Sequence, residues 1–211
     1  MNQPIRWPTV KRPLVAILRG VQPDEVESIV ETLIDTGFEM IEVPLNSPDP
    51  FDSIARICKR FGNDTLIGAG TVLTANDCAR VADVGGRLMV SPNVDVDVLA
   101  MAASRGMVTM PGVFSPTEAF LALRAGASAL KFFPASILGP SGIAAIRAVL
   151  PRDVVIGAVG GVSDRNFADY VAAGIQAFGL GSSLYRPGMS AIEVKATAQA
   201  SVVAYDQAMA R

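Results

Sequence analysis

Eight short apolar runs recur along the chain, most of them containing β-branched residues. A turn of Gly, Pro or Ser follows each run, and then a stretch with helical periodicity. The runs are Leu14–Leu18, Met40–Leu45, Thr65–Ala69, Arg87–Val90, Met107–Met110, Ala129–Phe133, Val154–Val159 and Ala177–Leu180. Between and after them the spacing predicts helices over Pro23–Thr36, Pro50–Phe61, Ala75–Val84, Val94–Ser104, Pro116–Ala125, Ser141–Leu150, Asp164–Ala172 and Ser190–Met209. Several helix starts are marked by chemistry. Ser115-Pro116-Thr117-Glu118 joins an N-cap serine, a proline at the first helical position and a capping-box glutamate. Gln22-Pro23-Asp24-Glu25 puts acidic residues where a helix dipole favours them. Gly37, Gly106, Gly126 and Gly174 fall just past predicted helix ends, as C′ glycines do.

Eight βα units in 211 residues predict a single-domain α/β fold, a (β/α)₈ TIM barrel at the lower end of its size range. An open doubly wound sheet is the alternative. The even count of eight and the lack of a GxGxxG turn after the first strand favour the closed form. No linker or low-complexity stretch divides the chain.

Composition narrows the function. Half of the residues are hydrophobic, 18% are charged and the net charge is −2, with no basic run of the kind that marks a nucleic-acid surface. No stretch approaches the ~20 apolar residues of a membrane span. The run Leu14–Leu18 is short and is stopped by Arg19, so no secretory signal is expected and the protein reads as cytoplasmic. Cys58 and Cys78 form no CxxC pair and fit no zinc spacing, which predicts reduced thiols. Histidine is absent. That removes Ser-His-Asp triads and most metal sites, and leaves acid–base work to Glu, Asp, Lys, Tyr or Cys.

In a TIM barrel the active site lies at the C-terminal ends of the strands. Polar groups inside otherwise apolar runs are therefore the candidates. Lys131, one of only four lysines (11, 59, 131, 195), sits in Ala129-Leu130-Lys131-Phe132-Phe133-Pro134. A lysine on a buried strand costs desolvation, which also lowers its pKa and frees the amine to attack a ketone. A snorkelling lysine at a strand end is the bland alternative. In Met40-Ile41-Glu42-Val43-Pro44, alternation turns Glu42 away from Ile41 and Val43 and into the barrel, as an acid–base group or as half of a structural ion pair. Arg19 ends the first run and suits bidentate binding of a carboxylate. Thr71 ends Gly68-Ala69-Gly70-Thr71 and could bond the same carboxylate. Gly160-Gly161 and Gly181-Ser182 follow the seventh and eighth strands, where TIM barrels bind phosphate. Together these groups suit a phosphorylated 2-keto acid processed through an imine. The protonated imine is the electron sink, so no metal or other cofactor is expected.

The same residues carry a resemblance that spans almost the whole chain. Ala16-Ile17-Leu18-Arg19-Gly20, Glu42-Val43-Pro44-Leu45-Asn46-Ser47, Gly68-Ala69-Gly70-Thr71-Val72-Leu73, Ser91-Pro92-Asn93, Met110-Pro111-Gly112-Val113, Leu130-Lys131-Phe132-Phe133-Pro134, Gly160-Gly161-Val162 and Gly179-Leu180-Gly181-Ser182 occur in the order seen in the 2-keto-3-deoxy-6-phospho-sugar-acid aldolases, which this chain resembles. The resemblance implies a homotrimeric TIM barrel with an imine on Lys131 and acid–base work by Glu42. It implies pyruvate carboxylate binding at Arg19 and Thr71, phosphate binding around Gly160, Gly161, Gly181 and Ser182, and Pro92 and Phe133 lining the site. The implied partner is a small phosphorylated keto acid, with neither nucleic acid nor membrane.

Two branches of that family act on epimers that differ at the C4 hydroxyl. Glu-Val-Pro-Leu-Asn-Ser and Val159 before Gly160-Gly161 resemble the galactonate branch, whereas the gluconate branch tends to Glu-Val-Thr-Leu-Arg-Thr and to threonine in place of the valine. The expected reaction is reversible cleavage of 2-dehydro-3-deoxy-6-phosphogalactonate to pyruvate and D-glyceraldehyde 3-phosphate. The alternatives are the same cleavage of the gluconate epimer, a sugar-phosphate isomerase or epimerase that needs no imine, and a phosphate-binding module without catalysis. Phe114 departs from the family pattern, in which a small residue is common, and bears on the aldehyde accepted if it faces the site.

Overall fold

The computed structural model describes residues 5–210. Its strands are β1 (Leu14–Ile17), β2 (Met40–Pro44), β3 (Leu66–Gly70), β4 (Leu88–Val90), β5 (Val108–Met110), β6 (Gly112–Val113), β7 (Leu130–Phe132), β8 (Ile156–Val159) and β9 (Ala177–Leu180). The helices are α1 (Val26–Thr36), α2 (Pro50–Phe61), α3 (Ala75–Asp83), α4 (Val96–Ser104), α5 (Pro116–Arg124), α6 (Ala135–Arg147), α7 (Phe167–Ala172) and α8 (Ala191–Met209). All strand pairs are parallel, in the order β5-β4-β3-β2-β1-β9-β8-β7-β6.

The two ends of that order, β5 and β6, are successive pieces of one strand separated by Pro111. Proline has no N–H to give to a ladder, yet its carbonyl still accepts from the Lys131 amide at 2.9 Å. Thr109 and Val113 likewise accept from Ala129 and Phe133 at 3.1 and 3.2 Å. The sheet therefore closes on itself through residues 108–113, and the eight expected strands form the (β/α)₈ cylinder.

Alternation along the strands sorts side chains into two layers. Leu14, Ala16, Ile41, Val43, Ile67, Leu130, Phe132, Ile156 and Phe178 face outwards into the layer beneath the helices. Val15, Ile17, Met40, Leu88, Val90, Met110 and Val159 fill the cylinder, whose base is packed by Ile5, Trp7 and Val10. Because both faces are covered, nearly every strand residue is buried.

Helix boundaries follow local chemistry. Ser115 and Ser190 each form a full capping box, with Glu118 and Glu193, and Gly37, Gly106, Gly126 and Gly174 all adopt positive φ. Five starts differ from the sequence reading. α1 begins at Val26 because Gln22–Glu25 forms a turn first, and α4 begins at Val96 because Asp95 caps it through the amides of Asp97 and Val98. α6 begins at Ala135 and breaks at Gly139 (φ 65°, ψ 168°), so the predicted start at Ser141 is the restart of the helix after Pro140. α7 begins at Phe167, after a turn over 164–166, and α8 at Ala191, because Ser190 is its N-cap. Among the described residues no helix is long and apolar enough to cross a membrane. Cys58 and Cys78 are free, and burial pushes both thiols up to about 11.

Candidate active site

Strand periodicity turns both central residues inwards. Glu42 pairs in register with Ile17 on β1 and Gly68 on β3, and Lys131 pairs with Gly112 on β6 and Gly157 on β8. Glu42 is 2% exposed and Lys131 6%. Among the described residues they form no direct ion pair, and Glu42 Oε2 is buried with no hydrogen-bond partner. The Lys131 ammonium nitrogen sits 4.7 Å from the centroid of the Phe133 ring.

Burial dominates the electrostatics of both groups. It pushes the Glu42 carboxyl up to about 7, against the pull of Lys131 and Arg19, which favour the carboxylate. It also pushes the Lys131 amine down. Glu42 opposes that shift and the positive charge of Arg19 reinforces it. A carboxyl shifted to near neutrality beside a lysine shifted towards its free amine is the electrostatic arrangement that acid–base and nucleophilic chemistry require.

Arg19 lies at the end of β1 and is exposed. Its Nη1 donates to Asn46 Oδ1, and its Nη2 lies 3.5 Å from Thr71 Oγ1 as donor. Thr71 has φ 55°, a left-handed conformation that a β-branched residue rarely adopts. Strain of this kind costs about 1–3 kcal/mol and gathers at functional sites. Here it accompanies a hydroxyl turned towards the guanidinium.

A cavity of about 400 Å³ opens above these groups at the C-terminal ends of β8 and β9. Its wall contains Arg19, Phe133, Val159, Gly160, Gly161, Gly181 and Ser182, which brings together seven of the residues expected from sequence. Glu42 and Lys131 are not part of this wall, but each adjoins a residue that is: Glu42 is in register with Ile17, and Lys131 lies over the Phe133 ring. Thr71 connects to the cavity through Arg19. Pro92, half-buried after β4, is not part of this wall.

The two glycine loops differ physically. Gly160 and Gly161 both have positive φ, at 90° and 79°, and a Cβ on Gly161 would lie 2.5 Å from Ser136 Cβ. Gly181 is required neither by its backbone nor by its neighbours, since a Cβ there would meet nothing within 4 Å. Its missing side chain leaves the cavity open.

Sequence reasoning missed several residues here. Ser163, Arg165 and Ser183 share the wall, and Asn46 engages Arg19. Arg165 carried a signal, being a cation five residues beyond a candidate phosphate-binding glycine. Asn46 was legible only as part of the family motif; its contact with Arg19 spans 27 residues and carried no local signal. Phe114 is 41% exposed just after β6, and its amide donates to the Glu118 carboxylate at 2.7 Å. It does not line this cavity. Among the described residues no cluster of three or more His, Cys, Asp or Glu is arranged to hold a metal ion.

Comparison with known proteins agrees with this geometry. Residues 8–204 match the family model described as KDPG and KHG aldolase. The chain is 65% identical over 202 residues to a probable 2-dehydro-3-deoxy-6-phosphogalactonate aldolase of Rhizobium meliloti (strain 1021), covering 96% of this chain and 95% of that one. It is 47% identical over 205 residues to the 2-dehydro-3-deoxy-6-phosphogalactonate aldolase of Escherichia coli (strain K12), covering 97% and 100%. A solved structure described as native KDPGal superimposes with a TM-score of 0.95 at 47% identity, over 98% of this chain and all of that one. With a lysine and a glutamate facing into the cylinder and relatives matched from end to end, the chain belongs to the KDPG and KHG aldolase family.

Proposed function

We propose that this aldolase reversibly cleaves 2-dehydro-3-deoxy-6-phosphogalactonate to pyruvate and D-glyceraldehyde 3-phosphate through an imine on Lys131. The observation that carries the reading is that Lys131 and Glu42 are both buried and turned into the cylinder, next to residues of a cavity whose wall includes Arg19. The free amine of Lys131 adds to the C2 ketone; the Glu42 carboxylic acid then protonates the carbinolamine hydroxyl, water leaves, and a protonated imine remains beside the Glu42 carboxylate. Glu42 as carboxylate takes the proton of the C4 hydroxyl. The C3–C4 bond breaks, its electron pair flows into the imine as an enamine, and the aldehyde leaves. Glu42, now protonated, returns that proton to C3, and hydrolysis releases pyruvate and Lys131. A carboxyl held near 7 is available in both forms at neutral pH, as this sequence of transfers requires.

Arg19, oriented by Asn46 and Thr71, is the partner for the substrate carboxylate. Gly160, Gly161, Gly181 and Ser182 form the phosphate cradle, with Arg165 on the same wall. Val159, 6% exposed and on that wall, presents no hydrogen-bonding group to a C4 hydroxyl. This favours the galactonate epimer, and the names of the two relatives above point the same way. The chain acts as a homotrimer in the cytoplasm on this reading, which rests on the family resemblance and on composition. Light scattering should then give about three times the protomer mass of 22.1 kDa.

Incubation with pyruvate and borohydride, followed by mass mapping, tests the chemistry. A reduced adduct on Lys131 is expected, and an unmodified Lys131 would remove the imine. Rates on the two pure epimers test the branch, and faster cleavage of the gluconate compound would overturn it.

A further inference from the structure

We propose that Gly70 is a positioning residue for Glu42: the side chain missing at position 70 is the space in which the carboxyl lies. The inference rests on the reading of Glu42 as the acid–base group, and the test below separates the two.

β3 turns Leu66, Gly68 and Gly70 towards the interior, while Ile67 and Ala69 join the outer layer. In register, Gly68 is the partner of Glu42 and Gly70 of Pro44, so Gly70 stands one pleat nearer the mouth than the glutamate backbone. The Glu42 side chain spans that step. A Cβ on Gly70 would fall 1.3 Å from Oε2, 2.3 Å from Cδ and 2.7 Å from Oε1. Those carboxyl atoms are the three nearest it would meet. Gly70 does not have positive φ, so its backbone does not demand glycine. Space is the whole requirement. Among the described residues Glu42 Oε2 also has no hydrogen-bond partner.

Gly68, two residues earlier on the same face, serves a different end. A Cβ there would fall 1.9 Å from the Leu88 carbonyl oxygen and 2.6 Å from the Leu88 carbonyl carbon and nitrogen. That obstacle is the backbone of β4, which cannot move without parting the sheet. The obstacle at position 70 is the far end of a flexible side chain, which can swing away while the barrel stays intact. One glycine lets two strands meet, and the other holds a reactive group in place.

The test compares Gly70→Ala, Gly68→Ala, Glu42→Gln and the double variant Gly70→Ala/Glu42→Gln, assayed on 2-dehydro-3-deoxy-6-phosphogalactonate. Gly70→Ala is expected to melt near the parent while Gly68→Ala melts far below it. The kcat of Gly70→Ala should fall at least about a hundredfold, the lower range for loss of a positioned acid–base group, with KM little changed. The double variant should be no slower than Glu42→Gln alone, because both changes act through one carboxyl. The pH–rate limb assigned to Glu42 should also move in Gly70→Ala. Parental kcat in Gly70→Ala, multiplicative losses in the double variant, or melting as low as Gly68→Ala would each overturn the inference. Parental turnover by Glu42→Gln would remove the acid–base reading and this inference together. A slow Glu42→Gln beside a fast Gly70→Ala removes the inference alone.

Discussion

Glu42→Gln should make the protein gain stability with rising pH relative to the parent. The Glu42 carboxyl, wholly buried, is pushed from 4.5 to about 7 in the folded state. Between those values the folded protein keeps the proton and the unfolded chain releases it, so the parent loses stability as pH rises through this window. Above about 7 both states are ionised and the loss is complete. At about 1.4 kcal/mol per pH unit, the full loss is about 3 kcal/mol. Between pH 5 and pH 8 about 2.5 kcal/mol of it falls within reach of measurement. Glutamine carries no such term. Lys131 does not cancel the effect: without a carboxylate beside it, its folded pKa is lowered further, which adds to the gain of the variant as pH rises. Urea unfolding of parent and variant at fixed protomer concentration, at both pH values, measures the difference. For a chain of this size, about 2.5 kcal/mol corresponds to a relative change in Tm of about 5–10 °C. The absolute offset between the two proteins is immaterial. Stability curves that run parallel from pH 5 to pH 8 would show that Glu42 ionises as an ordinary solvated carboxyl and would refute the electrostatic reasoning.

Three further outcomes are expected. Lys131→Ala should abolish turnover and borohydride trapping while the protein still folds, because truncation removes a costly buried amine; loss of the fold, read by circular dichroism, would make Lys131 structural. Val159→Thr should move the ratio of kcat/KM on the two epimers towards the gluconate compound by about tenfold or less, the value of one added hydrogen bond, and an unmoved ratio would take Val159 out of discrimination. Arg165→Ala should raise KM for the phosphorylated substrate by more than it alters KM for the same sugar acid without phosphate, and equal effects on both would place Arg165 outside the phosphate cradle.

Period-two alternation made the interior legible. It placed Glu42 opposite in sense to Ile41 and Val43, and the cylinder carries it so. Lys131 was legible for a different reason, as the one charge in its apolar run. Contacts between distant segments were not legible. The carboxyl of Glu42 over Gly70 and the contact of Arg19 with Asn46 depend on strand register and side-chain direction, which no local window encodes. Gly68 and Gly70 look alike in sequence, and only their neighbours across the sheet separate them. Helix starts failed where a local side chain or turn outranked periodicity, as with the Asp95 cap of α4 and the Gly139 break in α6.

The closure of the cylinder through residues 108–113 has a consequence for synthesis. While the chain emerges from the ribosome, β1 to β5 can pair among themselves, but β1 lacks the neighbour that only β9 supplies and the 108–113 strand lacks β7. The nascent half-barrel therefore presents two bare strand edges until the second half is made. Unpaired edges of this kind are where misassembly between neighbouring nascent copies begins.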